Sequence, residues 1–161
     1  MLFRSRPDVR PFFVGSQRGI EARVLAERRV EHELLPVVGF ARGALLSNWR
    51  VVPGLGRSLA RVVELFRALA PELVVVTGGY ASGPSGLVAA LARVPLAVQE
   101  QNSVPGFTTT LLSRWASQIH LAFPEAASRL PAPARDRVRV EGNPIQPPRA
   151  IERDQIGRAH V

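Results

Sequence analysis

Residues 73–86, LVVVTGGYASGPSG, constrain this chain more than any other stretch. An apolar run ends in two glycines, a Ser-Gly-Pro step follows, and an Ala-, Leu- and Val-rich segment comes next. The pattern predicts a buried strand feeding a glycine loop that opens a helix. Glycine has no Cβ, so backbone N–H groups come close to a ligand there, and a helix N-terminus favours negative charge. Pro84 fits the first helical position, where its missing N–H costs nothing. A second stretch, residues 99–106, QEQNSVPG, follows another short apolar run in the same way.

With 161 residues and 46% hydrophobic content, the chain is large enough for one compact domain. Patterned segments recur from about residue 11 to 142, which excludes global disorder. No apolar run is long enough to span a bilayer. The first ten residues hold no apolar stretch of signal length, so the cytoplasm is the default expectation. With no cysteine, disulfides and cysteine catalysis are excluded. The formal net charge is +8, and all 21 basic residues are Arg. That bias fits a GC-rich coding sequence, and it also suits attraction to anionic lipid head groups or a diphosphate. Nucleic acid ranks lowest as a partner, because the basic residues are scattered and no aromatic platform accompanies them.

Strand-like runs fall at 11–14, 33–37, 73–77, 96–98 and 119–122, with a sixth at 138–140. Residues 58–70 carry Leu59, Val62, Val63, Phe66 and Leu69 on one helical stripe, and Pro71 ends it. Residues 85–92 are apolar nearly all round, which predicts a buried helix. Further helices are expected at 108–116 and, shorter, at 124–130. Alternating short strands and helices argue for an α/β fold, a Rossmann-like parallel sheet with helices on both faces. Ligands of such sheets sit at the carboxyl ends of the strands. If runs 73–77 and 96–98 are neighbours, their two loops converge on one crevice.

The ends are read separately. Residues 2–15, LFRSRPDVRPFFVG, read as the last turn of a helix entering a strand, so the domain is expected to lack its first strand and first glycine loop. Residues 155–161, QIGRAHV, match one reading frame of a common sequencing-adapter oligonucleotide and are assigned no function. Residues 1–150 are therefore taken as a partial domain and 151–161 as a tail that is not native.

Four blocks carry a resemblance. Phe13-Val14-Gly15-Ser16-Gln17-Arg18-Gly19-Ile20-Glu21, Gly78-Gly79-Tyr80-Ala81-Ser82-Gly83-Pro84, Glu100-Gln101-Asn102-Ser103-Val104-Pro105-Gly106 and Gly142-Asn143-Pro144-Ile145 follow in order. In order and spacing they resemble the MurG-type peptidoglycan N-acetylglucosaminyltransferases of glycosyltransferase family 28, over roughly residues 3–150. The resemblance implies the N-terminal, acceptor-side half of a two-domain GT-B enzyme. Such an enzyme transfers GlcNAc from UDP-GlcNAc to lipid I, the undecaprenyl-linked muramyl-pentapeptide, making lipid II with inversion. It works at the cytoplasmic face of the bacterial inner membrane as a peripheral protein, without a cofactor or metal. This chain alone is expected to be inactive.

By the same resemblance, Gly78, Gly79, Tyr80, Ser82 and Gly83 help hold the acceptor, and Gln101, Asn102 and Asn143 belong to the substrate site. Tyr80 either lines the cleft or packs on a neighbouring helix. Glu100 is the catalytic candidate; its alternative role is to accept N–H bonds from its own loop. Asn102 either bonds a sugar hydroxyl or fixes the loop. The sequence departs from the family pattern at Gln99, where the family has His, and at Gln146, where it has Arg. The family's GGTGGH loop has no counterpart. His32 and His120 fall in no matching motif and read as ordinary domain residues. Leu45, Leu46, Trp49 and Arg50, with Arg42 and Arg57 near them, suit docking on an anionic membrane. They equally suit packing onto the sheet. Two other readings compete. One is a stand-alone, non-catalytic domain that binds anionic ligands or lipids. The other is a dehydrogenase domain, which lacks the required G-x-G-x-x-G.

Overall fold

The computed structural model describes residues 8–37 and 52–144. The segment with Leu45, Leu46, Trp49 and Arg50, the positions Ile145 and Gln146, and the tail 151–161 lie outside the described residues. Six strands and four helices alternate: β1 (Phe13–Ser16), α1 (Ile20–Glu27), β2 (His32–Leu35), α2 (Val52–Leu69), β3 (Val74–Val76), α3 (Ser82–Leu91), β4 (Leu96–Glu100), α4 (Phe107–Leu112), β5 (Gln118–Leu121) and β6 (Val138–Val140). Two 3-10 turns, Pro124–Arg129 and Ala132–Arg137, connect β5 to β6.

Every strand pairing among the described residues is parallel. The described strands form two sheets, β1-β2 and β3-β4-β5-β6, where the sequence predicts one. No ladder joins β1 to β3, so helix packing makes that junction. Helix α3 packs against β1, β3, β4, α2 and α4. One apolar cluster gathers Val76, Leu96, Val98, Leu112, Ile119, Leu121 and Leu130; the other gathers Leu35, Val37, Val62, Ala81 and Val88. Phe66 of α2 touches both. Each fully buried Leu, Ile or Val contributes about 1.5–3 kcal/mol relative to exposure.

Local chemistry accounts for the shifts in boundaries. Helix α2 starts six residues before the predicted 58, through a Pro-Gly-x-Gly step that reads as loop. Proline is tolerated in a first turn, and the Ser58 hydroxyl donates to the Gly54 carbonyl at 2.7 Å. The predicted apolar stripe holds at Val62, whereas Leu69 at the helix end is exposed. Strand β3 was expected to be buried, yet Leu73 and Val75 are exposed and only Val76 is deeply covered. Alternation puts Val75 on the face opposite Val74 and Val76, and that face is open at this strand, the outer one of its sheet among the described residues. Helix α3 begins at Ser82, which makes Pro84 its third residue. Its packed side is Pro84, Ser85, Gly86, Val88 and Ala89, while Leu91 faces outward.

Gly86 is required by space. A Cβ there would lie 2.3 Å from Leu112 Cδ1, and Leu112 is itself buried between α3 and β4. Gly86→Ala should therefore cost about 1–3 kcal/mol through overpacking. Thermal denaturation followed by circular dichroism checks this; an unchanged Tm contradicts the close α3–α4 approach.

Candidate functional site

Strands β3 and β4 run side by side in register, Val74 opposite Leu96 and Val76 opposite Val98. Their carboxyl ends therefore lie at one rim, and the loops 77–81 and 101–106 leave from it together. Strand β5 continues the rim, with Gln99 opposite His120 and Glu100 opposite Leu121.

The first loop is shaped by backbone conformation. Gly78 and Gly79 have φ of +85° and +78°. A side chain would find open space at either position, so the requirement is conformational. The Ser82 hydroxyl donates to the Gly78 carbonyl and closes the loop onto the first turn of α3. The Gly83 N–H donates to the Tyr80 carbonyl at 3.3 Å, so this N–H is spent on the turn. Tyr80 itself is 56% exposed, which favours a ring at the open rim over one packed on a helix.

The second loop is shaped by a buried carboxylate. Glu100 is 4% exposed at the end of β4. Its Oε1 accepts the Asn102 backbone N–H at 3.0 Å and the Asn102 Nδ2 amide at 2.8 Å. Its Oε2 accepts the Gly106 N–H at 3.1 Å. Burial works to raise the carboxyl pKa. The Thr109 hydroxyl, the Gly106 and Asn102 N–H groups and the Asn102 amide outweigh it and hold the group below its ordinary value. Both oxygens of Glu100 are thus engaged within its own loop, the second of the two roles weighed for it. Asn102 is held by the same carboxylate and stays exposed at the rim.

Side-chain amides extend the site. Gln101 Nε2 donates to Gln99 Oε1 at 3.2 Å, and Gln99 Nε2 donates to Asn143 Oδ1 at 3.4 Å. These contacts bring Asn143, which follows β6, to the second loop. No sequence signal marks this meeting, because Gln99 and Asn143 are 44 residues apart. His120 accepts no such role: its Nδ1 pairs with Glu141 Oε2 at 2.7 Å, and His32 Nδ1 meets the Val30 carbonyl at 2.8 Å. Among the described residues no group of three or more His, Asp or Glu could hold a metal ion. No described helix is long and apolar enough to cross a membrane. A hollow of about 600 Å³ lined by Val63, Phe66, Arg67, Val88, Leu91 and Val94 lies toward the far end of α3 from the glycine loop, and its wall is apolar apart from Arg67.

The low pKa of Glu100 has a pH consequence. Its carboxyl binds a proton less readily in the folded chain than unfolded, where glutamate titrates near about 4.3. The stabilisation is complete above that value and is lost as pH falls through the lower folded pKa. Urea midpoints should therefore drop on the acid side, and Glu100→Gln should remove part of that drop. At neutral pH the same variant should cost about 1–3 kcal/mol, because one half-buried N–H loses its acceptor. A variant with the parental acid profile would contradict the assignment.

Residues 2–121 match the glycosyltransferase family 28 N-terminal domain. The chain is 36% identical over 158 residues to the UDP-N-acetylglucosamine--N-acetylmuramyl-(pentapeptide) pyrophosphoryl-undecaprenol N-acetylglucosamine transferase of Desulforudis audaxviator, covering 98% of this chain and 42% of that protein. It is 43% identical over 137 residues to the Anaeromyxobacter protein of the same name, covering 83% of this chain and 34% of the relative. The chain thus spans well under half the length of these relatives. Among solved structures, Acinetobacter baumannii MurG superposes with a TM-score of 0.66 at 24% identity, over 90% of this chain and 40% of that one. A UDP-GlcNAc 2-epimerase from Methanocaldococcus jannaschii reaches 0.54 at 14% identity, over 82% of this chain and 45% of its own. Both likenesses are likenesses of fold.

Proposed function

The chain belongs to the glycosyltransferase family 28 N-terminal domain family, and from that premise we propose that it forms the acceptor-side half of a transferase. That enzyme moves GlcNAc from UDP-GlcNAc to the muramyl sugar of lipid I in peptidoglycan synthesis. The observation that carries this reading is the parallel β3–β4 pairing, which sets a glycine loop and an Asn-bearing loop on one rim. The names of the relatives supply the reaction and its substrates.

In this reading the acceptor diphosphate lies at the N-terminus of α3. The loop Gly78–Gly79 lets backbone approach, and the helix end favours two negative charges. Tyr80 lines the open side. Asn102, anchored by Glu100, offers its amide to the nucleotide sugar, with Gln101 and Asn143 beside it. Glu100 serves by holding this loop; with both oxygens occupied and a low pKa it is ill placed to take a proton from an attacking hydroxyl. The chain alone performs no transfer, since it spans less than half of the relatives it matches. The protein works at the cytoplasmic face of the inner membrane, with the stretch around Leu45, Leu46, Trp49 and Arg50 against anionic lipid.

A chimera in which residues 8–144 replace the matching segment of the Desulforudis audaxviator relative tests this. It should transfer GlcNAc from UDP-GlcNAc to a short-chain lipid I analogue, and the 161-residue chain alone should not. Asn102→Ala in the chimera should lower kcat/KM by about tenfold, the loss of one good polar contact. A folded chimera that binds neither substrate would overturn the proposal. Leu46→Asp together with Trp49→Asp should weaken its binding to phosphatidylglycerol vesicles; unchanged binding removes the membrane assignment.

A further inference from the structure

We infer that Gln99 is a positioning residue: it ties the 101–106 loop to the segment that leaves β6, and it decides which polar atoms the two flanks present. The inference rests on the reading of this loop as part of the sugar-nucleotide site.

A side-chain amide carries its acceptor oxygen and its donor nitrogen on the two arms of one planar group. Gln99 uses both. Its Oε1 accepts from Gln101 Nε2, and its Nε2 donates to Asn143 Oδ1. The bonds are long, at 3.2 and 3.4 Å, so they bias two exposed side chains without locking them. Gln99 itself is well held. It is 9% exposed, lies between the buried Val98 and Glu100, and sits in the β4–β5 ladder opposite His120.

The order of the chain has a chemical result. Gln101 turns one N–H toward Gln99, which leaves its carbonyl oxygen open as an acceptor. Asn143 spends its oxygen, so its NH₂ remains as a donor. The rim is therefore biased toward an acceptor on the loop side and a donor on the β6 side, which suits a ligand carrying a hydroxyl or N–H near one flank and a carbonyl or phosphate oxygen near the other. Reversing the central amide would reverse both ends. An imidazole at position 99 in its neutral form also offers one donor and one acceptor, so histidine there can hold the same order.

The test uses the side-chain amide resonances of Gln101 and Asn143 in the ¹⁵N-labelled 161-residue chain. Gln99→Leu should shift both toward free-amide values while the backbone signals of Val98 and Ile119 stay in place. Gln99→Glu, with two acceptors, should disturb Asn143 more than Gln101. Gln99→His should return both toward the parental positions. Leu and His variants with identical amide signals would overturn the inference, including where the Leu variant loses its dispersed spectrum and His fails to restore it. In the chimera described above, Gln99→Leu should raise KM for UDP-GlcNAc about three- to tenfold with kcat held, and Gln99→His should restore it. Shifted amides with an unchanged KM would leave the tie standing and overturn the placement of the sugar nucleotide.

Discussion

The site depends on the parallel pairing of β3 with β4. Parallel neighbours have their carboxyl ends on the same side, so two loops distant in sequence leave the sheet at one height. Here the ladder runs from Val74–Leu96 to Val76–Val98, and the chain breaks out of it within two residues on the β3 side. The pairing is secured from below by Val76, Leu96 and Val98, all buried in one cluster with α4 and β5. An antiparallel pair with the same residues would send the glycine loop and the Glu100 loop to opposite edges of the molecule.

The two loops reach a fixed shape by different physics. The first relies on φ values that L-residues rarely adopt, at Gly78 and Gly79, closed by the Ser82 hydroxyl. The second relies on a charge taken out of water. A buried carboxylate is costly unless hydrogen-bonded, and Glu100 meets that demand with donors from its own loop, which orders Asn102 and Gly106. Both loops are thus held by bonds and backbone conformations of their own, and a site ordered by its own chain loses less free energy on binding. The same bonds explain why Glu100 is suited to architecture: a proton acceptor needs access and basicity, and this group is buried with its pKa held low.

Some of this was legible in the chain and some was not, for identifiable reasons. Strand β6 falls at its predicted 138–140, and β4 was recognised by its apolar core although it runs on through Gln99 and Glu100. Polar residues at a strand end read as loop, and only the neighbouring β5 reveals them as paired. The two glycines and the Gln-Asn loop were legible because they depend on local chemistry. The start of α2 was hidden by Pro53, Gly54 and Gly56, whose helical state depends on packing rather than propensity. The exposure of Val75 reflects a sheet face left open at β3, a fact of tertiary packing that the apolar run does not carry. The Gln99–Asn143 contact joins β4 to the end of β6, and periodicity carries no information across that distance.

The split of the strands into two sheets adds a last step. A ladder would fix β1 relative to β3 through backbone hydrogen bonds; here that relation rests on side chains. Helix α3 touches both sheets, and Phe66 of α2 is shared by both apolar clusters. Strand edges facing no partner are exposed templates for pairing, and among the described residues the outer edge of β3 has none. The glycine loop follows immediately from that edge. Its geometry is therefore set on one side by the β4 ladder and on the other only by the fit of α3, held close to α4 at Gly86 and Leu112. Small residues on the packed side of α3 are what allow that fit, so the shape of the proposed acceptor site depends on the volume of side chains about one helical turn away.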